Sequence, residues 1–306
     1  TDWSRHTACH YAKCGVLASG LALTPGVSMP HFYSADLDIG SRWFHASDGV
    51  AAVFRNGWME YEVRQFSPWF PDVRVAIAAF PLLPEDGFLV HYRIETDQQV
   101  LFCAGVGGLT EFIGRFEYRG VALREFHAAD AEGNRVTGGR NRALIQGPRG
   151  DALWVGASFP VTVDAGDAAA LEPGGNPAAF LKRADAAPTR PVARLSAPIG
   201  PGETLDGFLV VLRNEDESVL DRWLAEPDPG ARLKRAIRTK HAGVTVHTPD
   251  PMLNLTVPPT VLAMDASWHA PTFCHGAHGY HSPFLGWRNW YGPTVLGWHG
   301  RVEQTI

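Results

Sequence analysis

The sequence is short of charge and short of sulfur. Only 19% of the 306 residues are charged, and only four are cysteine. The net charge is near −5 and no basic face is evident, which excludes the usual electrostatic footprint of a nucleic-acid binder. No run of 18 apolar residues occurs, so no segment reads as a membrane-spanning helix. Cys9 and Cys14 lie close together, and whether they pair is left open. Cys103 and Cys274 stand apart in apolar or aromatic surroundings, where buried free thiols are common. GxSxG, GxxxxGK[ST] and HExxH are all missing, which removes the familiar signatures of a serine hydrolase, a P-loop NTPase and a zinc protease. No cofactor is expected.

What is abundant is glycine (32), proline (23) and tryptophan (10). That profile suits a β-rich, loop-rich protein. From about residue 15 to 220 the text reads as strand, turn, strand. VLASGLALTPG ends in what reads as a Pro25-Gly26 turn. ADLDIGSRWFHASDG alternates and closes on Asp48-Gly49, a hairpin signal. VAAVFRNGWMEYEVRQF places Asn56-Gly57 between two alternating runs and predicts a hairpin of Val53-Phe54 with Met59–Phe66. VRVAIAAFPLLPEDGFLVHYRIET repeats the plan. QVLFCAGVGGLTEF reads as a buried strand and a glycine-rich loop. RNRALIQGPRGDALWVGASFP predicts a hairpin around Pro148-Arg149-Gly150, and ETLDGFLVVLRNED another buried strand. Residues 164–200, rich in Ala, Pro and Gly, read as a long surface loop with a short helix from Pro177 to Ala186. Strands at this spacing without amphipathic helices between them predict a mainly β fold, a large antiparallel β-sandwich.

The character changes near residue 216. Val219, Leu220, Trp223 and Leu224 have helical spacing, with breaks at Pro227 and Pro229 and a second helix over 231–240. A further helix is predicted from Pro251, capped by Thr248 or Asp250, with Pro258 and Pro259 interrupting it. The expected organisation is a β domain over 1–215, a helical linker over 216–247 and the start of a helical unit over 248–306.

FLGWRNWYGPTVLGWHGR, Phe284 to Arg301, is the most chemically loaded stretch. It holds three tryptophans, a tyrosine, a histidine and two arginines among four glycines. Any single tryptophan is as readily core as site. Arginine and histidine among the rings argue for more than core, because unpaired burial of charge is costly. Flat indole faces beside fixed donors suit a sugar, whose ring has an apolar C–H face and a hydroxyl rim, and the arginine fork suits a uronate or vicinal hydroxyls. The candidate sugar-binding residues are Asp265, Trp268, His269 and His275, then Trp287, Arg288, Trp290 and Tyr291, then Trp298, His299 and Arg301. A metal is the competing reading, since His269, His275, His278 and His281 lie close, with Cys274 beside them. Their H-x2-H-x2-H spacing matches no familiar zinc pattern, and no metal is expected. The cluster His6, Cys9, His10 and Cys14 is weaker still. Glycoside cleavage normally needs two carboxyl groups. Only Asp265 and Glu303 lie near the aromatic stretch, so no catalytic pair can be named.

The order of these segments, with HTPDPMLNLTV, DASWHAPTFCHGAHGY and FLGWRNWYGPTVLGWHGR, resembles bacterial glycosidase-like proteins that join an N-terminal supersandwich to an (α/α)6 toroid, among them the α-L-rhamnosidase-like enzymes. It is similar in particular to domain of unknown function 4450. EFHAADAEGNRV and RALIQG…LWVGASFP resemble that group's sandwich. The resemblance implies a supersandwich, a helical linker and the first helix and cleft loop of a toroid, the loop running from His275 to Arg301. It implies a glycoside hydrolase acting on a plant or algal polysaccharide, with this chain its front portion and the acid and base on later hairpins. A carbohydrate partner and an extracytoplasmic location, with no leader in this chain, go with it. An incomplete toroid would leave apolar surface open to self-association. Two other classes stay open. One is a non-catalytic carbohydrate-binding module using Trp43, Trp58 or Trp69. The other is a structural scaffold whose tail aromatics are core.

Overall fold

The computed structural model describes residues 22–29, 40–47, 49–65, 72–83, 85, 87–108, 127–148, 150, 152–172, 174–182, 186–213, 215–241, 243–266, 268–269, 272–273 and 286–305. Along the chain its sandwich strands are β1 (Ala22–Ser28), β2 (Ser41–Trp43), β3 (Gly49–Phe54), β4 (Met59–Gln65), β5 (Arg74–Pro81), β6 (Gly87–Glu95), β7 (Val100–Gly107), β8 (Arg135–Gly139), β9 (Arg142–Gln146), β10 (Ala152–Ala157), β11 (Thr162–Asp167), β12 (Pro191–Ile199) and β13 (Thr204–Arg213). They form two antiparallel sheets. One has five strands in the order β11-β12-β7-β1-β2, the other eight in the order β3-β4-β5-β6-β13-β10-β9-β8.

Period-2 alternation places the core. Val75, Ile77 and Ala79 of β5, Val90, Tyr92 and Ile94 of β6, and Leu209 and Val211 of β13 point from the large sheet toward the small one. Phe102, Ala104 and Val106 of β7 and Leu195, Ala197 and Ile199 of β12 meet them. Each such aliphatic or aromatic side chain contributes about 1.5–3 kcal/mol when fully buried. The intervening residues of the large sheet are buried too, over part of its area. Phe80, Leu89, Phe208, Val210 and Leu212 form a second core on the outer face, with Leu220, Trp223, Leu233 and Ile237. That is why GFLVVL in β13 is a continuous apolar run: both its faces are covered.

The covering helices come next. After the short α1 (Pro177–Leu181) the chain forms α2 (Glu217–Leu224), α3 (Pro229–His241), α4 (Pro251–Ala266), α5 (Gly286–Val295) and α6 (His299–Thr305). Arg142 at the start of β9 reaches Glu217 at 2.8 Å and Asp221 at 2.7 Å, which ties α2 to the sheet. Arg222 also pairs with Glu85. The Arg232 guanidinium of α3 sits 4.5 Å from the Trp223 ring. The β3–β4 hairpin turns at Asn56 and Gly57, both at positive φ, as the Asn-Gly pair predicts. Its tip meets the helices: a Cβ on Gly57 would lie 2.4 Å from Ile237 and 2.8 Å from Leu262. The adjoining Trp58 stacks on Phe80, with centroids 6.1 Å apart, below the cations of Lys234 and Arg238.

The hairpins β5–β6 and β9–β10 and the buried strands β7 and β13 fall where the sequence predicts them. Elsewhere the structure corrects the reading. Pro25-Gly26 is no turn but lies inside β1. The edge of β1 beside Pro25 has no strand partner among the described residues, because β2 pairing stops at Gly26, so a missing N–H is tolerated. Gly26 is there for space, with Arg42, Trp43 and Pro177 all within 2.8 Å of a would-be Cβ. No hairpin forms at Asp48-Gly49. Asp48 lies outside the described residues, β2 and β3 belong to different sheets, and the 3-10 turn Phe44–Ala46 lies between them. Residues 164–200 are not a surface loop. They supply β11 and β12 and, between them, Ala168, Leu171 and Phe180, which cover the outer face of the small sheet over Cys103 and Val192. The short helix there ends at Leu181, not Ala186. Pro229 starts α3, and α4 runs unbroken through Pro258 and Pro259. Asp250 caps α4, accepting from Met252 N at 2.8 Å.

Tyr92 is buried in the sandwich core, and its hydroxyl finds no hydrogen-bond partner among the described residues. Burial pushes its phenol pKa up. An unpaired buried hydroxyl costs about 1–3 kcal/mol. Tyr92→Phe keeps the ring contact with Phe102 and should hold or raise stability by about 1 kcal/mol. A urea midpoint shifted clearly downward would show that the hydroxyl is paired after all.

Candidate functional site

The C-terminal helices converge on one buried carboxylate. Asp265 sits at the end of α4, with its side chain 8% exposed. Its Oδ2 receives the Lys240 ammonium of α3 at 2.5 Å, and its Oδ1 receives the Arg301 guanidinium of α6 at 2.8 Å. Three helices thus share one ionic knot. Burial pushes the Asp265 carboxyl up, but the Lys240 hydrogen bond and the charges of Lys240 and Arg301 outweigh it. The group is held below the usual carboxylate range.

Aromatic rings frame the knot. The Arg301 guanidinium lies 5.6 Å from the Trp268 ring and 5.1 Å from the Trp298 ring, both within cation–π range. Trp268 is buried and packs at a tilt on Phe273, centroids 4.6 Å apart, through the short ladder that pairs Trp268–His269 with Thr272–Phe273. Trp298 is half-buried. It borders an open hollow of about 440 Å³ lined also by Lys240, Asp265, Gly300, Arg301 and Gln304.

The structure therefore brings four sequence-predicted residues together: Asp265, Trp268, Trp298 and Arg301. Trp290 is half-buried on α5, while Tyr291 and His299 are exposed. The side chains of His269, Trp287 and Arg288, and all of His275, lie outside the described residues. So do most of the histidines considered for a metal. Among the described residues no three His, Cys, Asp or Glu side chains gather to hold an ion. Lys240 is the residue that sequence reading missed. A lone lysine 25 positions before its partner carries no pattern.

The stretch from His275 to Arg301 is not wholly loop. From Gly286 it forms α5 and the start of α6. Gly292 and Pro293 lie inside α5. Gly292 is where α5 meets α4: a Cβ there would be 2.0 Å from Met264 Sδ. Trp43 and Trp58, considered as exposed glycan platforms, are both buried, at 2% and 7% exposure, and Trp69 lies outside the described residues.

Chemically, Asp265 is poorly suited to proton transfer. Its two oxygens already accept, and a carboxyl held below its usual range is a weaker base. What remains is a rigid mount that holds an arginine against two indoles at the edge of a hollow.

No family model matches the chain, and no curated protein matches it. Among solved structures, a protein described as a kojibiose phosphorylase from the human microbiome aligns with 93% of this chain and 43% of its own, at 7% identity and a TM-score of 0.51. Heparan sulfate lyase HepC from Pedobacter heparinus aligns with 55% of this chain and 22% of its own, at 10% identity and a TM-score of 0.32. The chain spans less than half the length of either. Likeness at 7% identity speaks for the fold alone. That fold is mainly β, built on two large antiparallel sheets.

Asp265→Asn leaves Lys240 and Arg301 without their counter-charge. The loss should be on the order of 2 kcal/mol at neutral pH, below the fully buried case because both cations are about a third exposed. The sign follows from the lowered pKa. The native ion pair contributes fully above the unfolded carboxyl value of 3.8 and fades as pH falls through the lower folded one. Denaturant midpoints of the two proteins should therefore converge in strong acid. Equal stability at neutral pH would show that the carboxylate anchors nothing.

Proposed function

We propose that this chain is the N-terminal portion of a bacterial glycoside hydrolase acting on a plant or algal polysaccharide, with its C-terminal helices forming one wall of the sugar cleft. The observation that carries this reading is the Arg301–Trp298 edge on the Asp265 mount. An arginine fork fixed beside an indole at the rim of a hollow matches a sugar ring, whose face is apolar and whose rim is polar. Support comes from the fold, shared over 93% of this chain with a protein described as a kojibiose phosphorylase. In this reading the chain is affiliated with domain of unknown function 4450, on the likeness of HTPDPMLNLTV, DASWHAPTFCHGAHGY and FLGWRNWYGPTVLGWHGR. The toroid belongs to the same reading. Its support is that α4 carries exposed Met252, Leu253 and Leu255 and α5 exposed Tyr291 and Val295, apolar groups that further helices would cover. The general acid and base are then contributed from outside this chain. The parent acts outside the cytoplasm, where such polysaccharides are met.

Titration of the chain with plant and algal oligosaccharides, read by tryptophan fluorescence, tests the wall. Trp298→Ala and Arg301→Ala should each weaken binding about tenfold or more. Binding that survives both would move the glycan to the sandwich and favour a non-catalytic module. A second measurement is the intact mass of the native gene product. The proposal expects a mass well above that of 306 residues. A mass equal to it would end the hydrolase reading.

A further inference from the structure

The outer face of the large sheet is only partly covered. α2 and α3 lie over its apolar half, and beyond them β6 and β13 carry His91, Arg93 and Asp206. At the boundary is a hollow of about 400 Å³, within the range of small-molecule sites. Its floor includes Ala78 and Phe208, and its wall is the α2–α3 connection at Pro227 and Asp228 with the first residues and Lys234 of α3. Two prolines, Pro227 and Pro229, restrict that connection and keep the rim in place.

The polar groups here are held by internal contacts and keep hydrogen-bonding capacity to spare. Asp206 accepts from His91 Nε2 at 2.8 Å and from Arg93 at 3.2 Å. Asp228 accepts from Ala231 N at 2.8 Å through one oxygen. The Ser158 oxygen accepts from Phe208 N at 2.8 Å, which leaves its proton to donate. The Lys234 ammonium lies 5.4 Å from the Trp58 ring centre and 5.7 Å from that of Phe80. The hollow thus offers fixed donors and acceptors, with charges of both signs, above an apolar floor.

That combination selects against ions. An anion would meet Asp206 and Asp228, and a cation would meet Lys234. No metal-holding cluster forms among the described residues. A neutral sugar fits, because each hydroxyl both donates and accepts and the ring carbons can lie on Ala78 and Phe208. We propose that this hollow binds one neutral pyranose unit, at a site separate from the Trp298 wall and independent of the function proposed above.

The test uses the 306-residue chain labelled with ¹³C-histidine, with the His91 ring signal assigned through His91→Gln. Methyl glucoside and methyl galactoside are titrated as probes, with glucuronate and inorganic phosphate as controls. At least one neutral glycoside should shift the His91 signal saturably. Asp206→Asn and Lys234→Met should each weaken that response about fivefold or more, and Trp298→Ala should leave it unchanged. Silence with both glycosides overturns the proposal. A stronger response to phosphate or glucuronate also overturns it, since the site is then an anion site. So does a response lost in Trp298→Ala, which would belong to the other wall, or one indifferent to both Asp206→Asn and Lys234→Met.

Discussion

Burial of the eight-stranded sheet on both faces is the constraint on which the rest of the molecule depends. A sheet with one wet face needs only alternation. This one needs apolar residues on both faces of β5, β6 and β13 over half its width, and the sequence writes them as AIAAFP, FLV and FLVVL. Once those runs exist, helices must follow to cover them. α2 and α3 do so with Leu220, Trp223, Leu233 and Ile237. The order of sandwich first and helices second is thus a packing requirement of the sheet as much as a division into units.

The small sheet meets the same requirement by another route. Its outer face is covered by the chain's own excursion between β11 and β12, with Phe180 and Leu171 packing over Cys103. Arg194, buried in β12, is satisfied there by Asp164 at 2.6 Å and by the carbonyl of Phe180 at 2.7 Å. A segment that reads as loop because it is rich in alanine and glycine is a lid, because small residues let it lie close to the strands.

Much of the strand order was legible, for a physical reason. Alternation fixes which face a residue takes, and Asn56-Gly57 has a backbone preference that few other contexts share. Glycine and proline were misleading wherever they served another purpose. Gly26 and Gly292 make room for Trp43 and Met264, which no local pattern announces, and Pro229 opens a helix that a breaker rule would close. The candidate site was legible by residue type alone. Asp265, Trp268, Trp298 and Arg301 stood out as chemistry. That Lys240 joins them depends on how α3 lies against α4, which is tertiary information.

The tip of the β3–β4 hairpin has a mechanical meaning. At Gly57 there is no room for a side chain, which would collide with Ile237 of α3 and Leu262 of α4 at once. Three residues beyond each of these side chains lie two members of the ionic knot, Lys240 and Asp265. The hairpin is therefore a fulcrum. Neither helix can slide along its axis without lifting a strand pair at the sheet edge, and a strand pair resists through its whole ladder of hydrogen bonds. A ligand pressing on the Trp298 wall would act against the stiffness of the entire large sheet, and the wall would behave as a fixed surface instead of a closing one.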